Sequence, residues 1–166
     1  CKSCQTLYQS AMRTAVACAF ISLMALAVCE GKQRHGTVRF YTEANPNDGA
    51  VFSTTIRSQF SGKTVVIEKI PAISENDVIG FQVYRAADGT FGVLLELNDH
   101  GRLALDTLSI ERRGTFLFIF VNGRPISELQ IDRRVSDGKI YIASGLTSND
   151  IASMKKDWPL TAPRKK

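Results

Sequence analysis

The sequence predicts an α+β fold, an antiparallel sheet with two helices packed on one face. Three observations carry this expectation. Segments with alternating apolar residues are joined by Asp88-Gly89 and Asn122-Gly123, dipeptides that favour two-residue hairpins and so antiparallel neighbours. Helical patterns with capping residues interrupt the strands twice, after residue 98 and after residue 147. The order strands, helix, hairpin, strand, helix groups the helices on one face of a sheet.

Residues 37–43 form the first expected strand, with Val38, Phe40 and Thr42 on one face. Asn45-Pro46-Asn47-Asp48-Gly49 is a dense turn signal. Residues 51–56 and 63–67 are the second and third strands, and Ser74-Glu75-Asn76-Asp77 is a polar turn. Residues 79–86 alternate, with Ile79, Phe81, Val83 and Ala86 as the apolar set. After Asp88-Gly89 the chain returns over 91–97 with Phe91, Val93, Leu95 and Leu97 on one face.

Asn98 or Asp99 caps the first helix, whose apolar side is supplied by Leu103, Leu105, Leu108 and Ile110. Arg112 and Arg113 place positive charge near its negative end, and Gly114 stops it. Residues 115–121 are the most apolar stretch of this region and read as a central strand buried on both faces. Asn122-Gly123 turns the chain into its partner over 124–131. Asp137-Gly138 precedes a strand over 139–143, and Thr147-Ser148-Asn149-Asp150 opens the last helix, which Trp158-Pro159 ends.

With 166 residues the chain holds one domain with its own core, and 44% hydrophobic against 22% charged residues excludes wholesale disorder. The expected division is 1–29 for an N-terminal extension plus signal peptide, 30–36 for a tether, 37–158 for the α+β domain and 159–166 for a basic tail. The formal charge of +5 falls by two when residues 1–28, with Lys2 and Arg13 and no acid, are set aside. No basic stripe with interleaved aromatics is present, so nucleic acid is not an expected partner. Cys1, Cys4, Cys18 and Cys29 all precede the domain, which therefore cannot form an internal disulfide. The CxxC spacing of Cys1 and Cys4 lacks two further ligands at suitable spacing, so no metal is expected.

Met12-Arg13 followed by the apolar run 15–29 has the short basic start and compact apolar middle of a secretion signal. The run is shorter than the ~20 apolar residues a transmembrane helix needs. Two cleavage patterns overlap. Ala25-Leu26-Ala27 fits ordinary signal peptidase, and Leu26-Ala27-Val28-Cys29 resembles a lipobox with Val28 where a smaller residue is usual. Chemistry favours the second, because a thiol is the side chain able to carry a thioether-linked lipid. The expectation is lipidation at Cys29 and an exported, periplasmic or cell-envelope location.

Two histidines lie past the signal, His35 in the tether and His100 in Asn98-Asp99-His100-Gly101. The neighbours of His100 are those of a helix cap, so it reads as a surface residue rather than a general acid or base. Ser61-Gly62-Lys63-Thr64 lacks the earlier glycine of a phosphate loop, where Arg57 stands. No nucleophile elbow, metalloprotease helix or dinucleotide loop is present. The chain is therefore read as a non-enzymatic module without cofactor. The alternatives are an envelope hydrolase, marked by His100 with two acids in a deep pocket, and a purely structural lipoprotein.

From residue 83 onward a longer pattern runs through the chain: Phe91-Gly92-Val93-Leu94-Leu95-Glu96-Leu97-Asn98-Asp99-His100-Gly101 and a helix, then Gly114 to Ser127 with its Asn122-Gly123 turn and Ile126-Ser127. Asp137-Gly138-Lys139-Ile140 and Gly145-Leu146-Thr147 complete it. This order resembles the periplasmic head subdomain of SecD, the accessory subunit of the bacterial preprotein translocase. The resemblance implies a stand-alone exported head-like domain that binds unfolded polypeptides or other envelope proteins. Its expected contact surfaces are exposed strand edges or a groove between sheet and helices.

Overall fold

The computed structural model describes residues 35–45, 47 and 49–161. The expected extension and signal, Cys29, residues 30–34 of the tether and residues 162–166 of the basic tail lie outside the described residues, as do Pro46 and Asp48. Among the described residues eight strands and three helices follow in the order β1 (Val38–Thr42), α1 (Gly49–Phe52), β2 (Ser53–Arg57), β3 (Thr64–Glu68), β4 (Val78–Arg85), β5 (Phe91–Leu97), α2 (Asp99–Glu111), β6 (Phe116–Val121), β7 (Arg124–Gln130), β8 (Lys139–Leu146) and α3 (Ser148–Asp157). Every ladder between these strands is antiparallel, and the α+β class stands.

The strands do not join into the single sheet that the pattern suggested. They form two three-stranded sheets, β1-β6-β7 and β4-β5-β8, and a separate β2-β3 hairpin. The break between β7 and β8 has a local cause. Phe91 pairs with Leu146 and Val93 with Ile142, so the lone Gly92 faces three residues of β8. Extra residues on one strand bend it and raise its twist. Gly145, at φ +97°, completes the bend. There β8 meets β7: a Cβ on Gly145 would lie 3.1 Å from Cγ2 of Ile126.

One core serves both three-stranded sheets. Phe40 of β1, Ile119 of β6, Leu95 of β5 and Ile142 of β8 share it with Leu105 of α2 and Met154 of α3. Its buried members come entirely from residues 38–158, so the domain carries its own core. Val38, Phe40 and Thr42 are buried as their alternation requires. On β6, Leu117 and Ile119 face the helices, while Phe118 is buried on the other side. The β2-β3 hairpin reaches that outer side: Glu128, paired with Phe118, accepts from Ser58 Oγ at 2.8 Å and from Gln59 N at 2.6 Å.

Two expected apolar sets hold in part: Phe81, Leu105 and Leu108 face the core, and some other members do not. A bulge between Val78 and Gly80 buries Val78 and leaves Ile79 53% exposed. On α2 the buried side runs through Gly101, Leu105 and Ser109, with Leu108 against the core, while Leu103 and Ile110 are exposed. The close approach at Gly101 sets that rotation. A Cβ there would lie 2.8 Å from Asp77 Cβ and 3.2 Å from Leu97 Cβ, so this position must face the sheet. Leu103 and Ile110, seven residues apart, then share the outward side.

Bonded structure extends beyond 37–158 at both ends. The backbone amides of His35 and Gly36 donate to Asp157 Oδ2 at 2.6 and 2.8 Å. Past α3, Phe81 N donates to Pro159 O at 3.2 Å and Thr161 N to Phe81 O at 2.9 Å, adding a short parallel bridge to the edge of β4. Burial alone would raise the Asp157 carboxyl, but the Gly36 and His35 amides and the His35 ring hold it below its ordinary value. With that side chain 1% exposed, Asp157→Ala is expected to lower the unfolding free energy by about 2 kcal/mol, read from urea denaturation.

Candidate functional site

His100 opens α2, where Asn98 Oδ1 accepts from Gly101 N at 2.8 Å. Its Nδ1 lies 2.7 Å from Asp77 Oδ1, and its side chain is 79% exposed. The other Asp77 oxygen accepts from Ser74 N and Ser74 Oγ at 2.8 and 3.1 Å. Burial pushes the Asp77 carboxyl up, but the Ser74 bonds and His100 outweigh it and hold it low. The cluster fastens the start of α2 to the loop before β4. It brings one acid to His100, not two, and His100 lines neither of the two main cavities. His35 is exposed, with Nδ1 3.4 Å from Asp157 Oδ1. Ser61-Gly62-Lys63 lies in the β2-β3 turn, where Ser61 N and Oγ both bond Ser58 Oγ at 3.0 Å. No group of three or more histidine, cysteine or acidic residues among those described could hold a metal ion.

The larger cavity, about 560 Å³, lies where β7 and β8 diverge. The strands touch at Ile126 and Gly145, and beyond that contact Leu129, Ile131, Ile140 and Tyr141 line the cavity. Leu94 and Tyr141 are register partners on the face turned away from the core. Leu105 and Leu108 of α2 belong to the core face. All four line the same cavity, so it passes through the plane of the sheets. Among the described strands β7 pairs with β6 alone and β8 with β5 alone. The cavity is a slot between two strand edges, with leucines on both sides of the layer.

A strap of residues 131–137, part of the connection from β7 to β8, also lines this slot. Arg134 grips Asp106 of α2 through Nε and a terminal nitrogen at 2.6 and 2.8 Å. Val135 N donates to Ser109 Oγ at 2.9 Å, and Arg113 Nε donates to Asp132 O at 3.0 Å. The Arg134 hydrogen bond and charge lower the Asp106 carboxyl. Sequence reasoning anticipated a groove between sheet and helices but did not place it. The one local signal was the polar run Asp132-Arg133-Arg134 between two apolar strands, and such a run reads equally as a solvated connection. Arg112 caps the C-terminal end of α2 and Arg113 follows it, and their side chains reach further partners: Arg112 bonds Glu68 at 3.1 Å, and Arg113 holds the strap.

No protein-family model and no curated protein matches the sequence. Two solved structures of SecDF are similar in fold. One, SecDF described as a membrane component that enhances protein export, is 16% identical, with a TM-score of 0.52 over 78% of this chain and 66% of that one. The other, SecDF in its super-membrane-facing form, is 17% identical, with a TM-score of 0.51 over 78% of this chain and 20% of that one. The likeness thus spans just under two thirds of the first chain and a fifth of the second. The fold is SecD-like. No helix among the described residues is long and apolar enough to cross a membrane.

Proposed function

We propose that this domain is an exported, non-enzymatic module of protein export that holds an extended polypeptide segment in the slot between β7 and β8. The observation that carries the reading is a cavity through the sheet plane whose walls are two strand edges without ladder partners. Main-chain groups of an added strand would bond to such edges irrespective of sequence. Its alternate side chains would point to opposite sides, toward Leu105 and Leu108 on one and toward Leu94 and Tyr141 on the other. This suits a client recognised as an unfolded, partly apolar chain. The SecD-like fold supports the same reading, and a lipid on Cys29 would keep the module at the envelope membrane.

A photo-crosslinking residue at Tyr141 tests it. Crosslinks to an unfolded secretory polypeptide are expected from this position and not from Thr107, on the exposed part of α2. Leu94→Arg would fill the slot from its outer side and is expected to lower the crosslink yield about tenfold, the order of one lost apolar contact plus a buried charge. Equal yields from Tyr141 and Thr107 would sink the proposal.

A further inference from the structure

Both ends of the described chain leave the domain at one place. His35 and Gly36 bond to Asp157, the last residue of α3, and the chain exits through Pro159 to Thr161 along β4. Four exposed side chains lie around this point. Lys155 and Lys156 occupy the last turn of α3, and neither forms an ion pair with a described carboxylate. Leu160 is 55% exposed and Ile79 53%, the latter next to Gly80, whose Cβ would lie 2.7 Å from Thr161 Oγ1. The sequence past both ends carries the same charge. Lys32 and Arg34 precede His35 with Glu30 as the one acid between Cys29 and His35, and Arg164, Lys165 and Lys166 follow Thr161 with none. The apolar run 15–29 ends six residues before His35.

We infer that this end of the domain is a docking surface for an anionic lipid bilayer. Lys155 and Lys156 meet the headgroup phosphates, and Leu160 and Ile79 enter the interface between headgroups and acyl chains. A cation at an anionic membrane surface strengthens binding roughly fivefold, so single contacts are weak and their sum is not. Last-turn lysines also complement the helix dipole, but that role does not call for two exposed aliphatic residues beside them. An acidic peptide would satisfy the lysines and leave Leu160 and Ile79 in water. The surface is separate from the slot, and neither proposal depends on the other.

The test is vesicle sedimentation with residues 30–166, which contain the whole core. Binding is expected to phosphatidylcholine–phosphatidylglycerol vesicles and not to phosphatidylcholine alone, weakening as salt is raised. Replacing Lys155→Gln and Lys156→Gln together is expected to lower the partition roughly thirty-fold, with circular dichroism unchanged and the melting temperature lowered by no more than a few degrees, the loss of two helix-end charges. Leu160→Ser, at a 55% exposed position whose bridge to Phe81 is a backbone pairing, is expected to remove the part of the binding that survives high salt. Equal partition to both vesicle types overturns the proposal, as does a folded double variant that binds undiminished. Binding of an acidic peptide, lost in the double variant and unaccompanied by vesicle binding, overturns it in favour of a protein partner.

Discussion

Gly92→Ala is expected to lower the melting temperature by about 10 °C or more, through a loss of about 3 kcal/mol. Gly92 lies where three residues of β8 fold over one of β5. A Cβ there would sit 2.4 Å from Ala143 O and 2.8 Å from Ile142 O. Both are backbone atoms, so no side-chain rotation relieves the clash. The ladder itself must open, and with it the Val93–Ile142 and Leu95–Ile140 pairs, all four residues of which are buried in the core. β8 is also one wall of the slot, so polypeptide crosslinking at Tyr141 should fall together with stability. A melting temperature equal to that of the parent would show that β8 can shift, and would remove the explanation given for the split between the sheets.

Asp150→Ala is expected to cost about 3 kcal/mol, measured by urea denaturation at neutral pH. The carboxylate is buried at the start of α3 and forms a capping box with Thr147. It accepts from Thr147 N at 2.9 Å, Thr147 Oγ1 at 2.6 Å, Asn122 Nδ2 at 2.8 Å and Arg124 at 2.6 Å. One side chain thus caps α3 and ties it to the β6-β7 turn. Burial alone would raise its carboxyl, and the Thr147, Asn122 and Arg124 interactions outweigh that and lower it below 3.8. A carboxyl lowered in the fold stabilises fully above its unfolded value and loses that contribution as pH falls through the folded one. The parent should therefore hold its stability toward neutral pH and lose it steeply below about pH 4. The variant should start lower and fall less steeply. A parallel acid limb in both proteins would show that Asp150 carries none of the acid sensitivity.

Much of the local structure is legible in the chain. Asn122 and Gly123 adopt φ values of 52° and 76°, the left-handed pair that an Asn-Gly hairpin turn requires. Asn98 and Thr147 cap their helices as their side-chain oxygens allow. Thr42, Phe40 and Val38 point inward by simple alternation. Pattern and structure part where a strand or helix is turned by something distant in the chain. Ile79 turns out because of a bulge against β5, and Leu103 and Ile110 because Gly101 must approach Asp77 and Leu97. The candidate site was less legible. His100 is the exposed capping-turn residue that its neighbours imply, whereas the slot depends on Leu94, Leu105, Leu129 and Tyr141, which no spacing connects.

By itself the sequence determined the α+β class, the hairpin turns, the helix caps and the absence of a disulfide within the domain. It could do so because each depends on dihedral preferences, side-chain period or residue identity over a few consecutive positions. The tertiary structure decided how many sheets form, which edges remain open, which side of α2 faces inward, and that both ends of the described residues meet at Asp157. Those outcomes follow from contacts between residues far apart in the chain, such as Gly92 against Ala143 and Gly36 against Asp157. Local preference carries no information about them, because the closest approach of two backbones is set only once both have been folded against the same core.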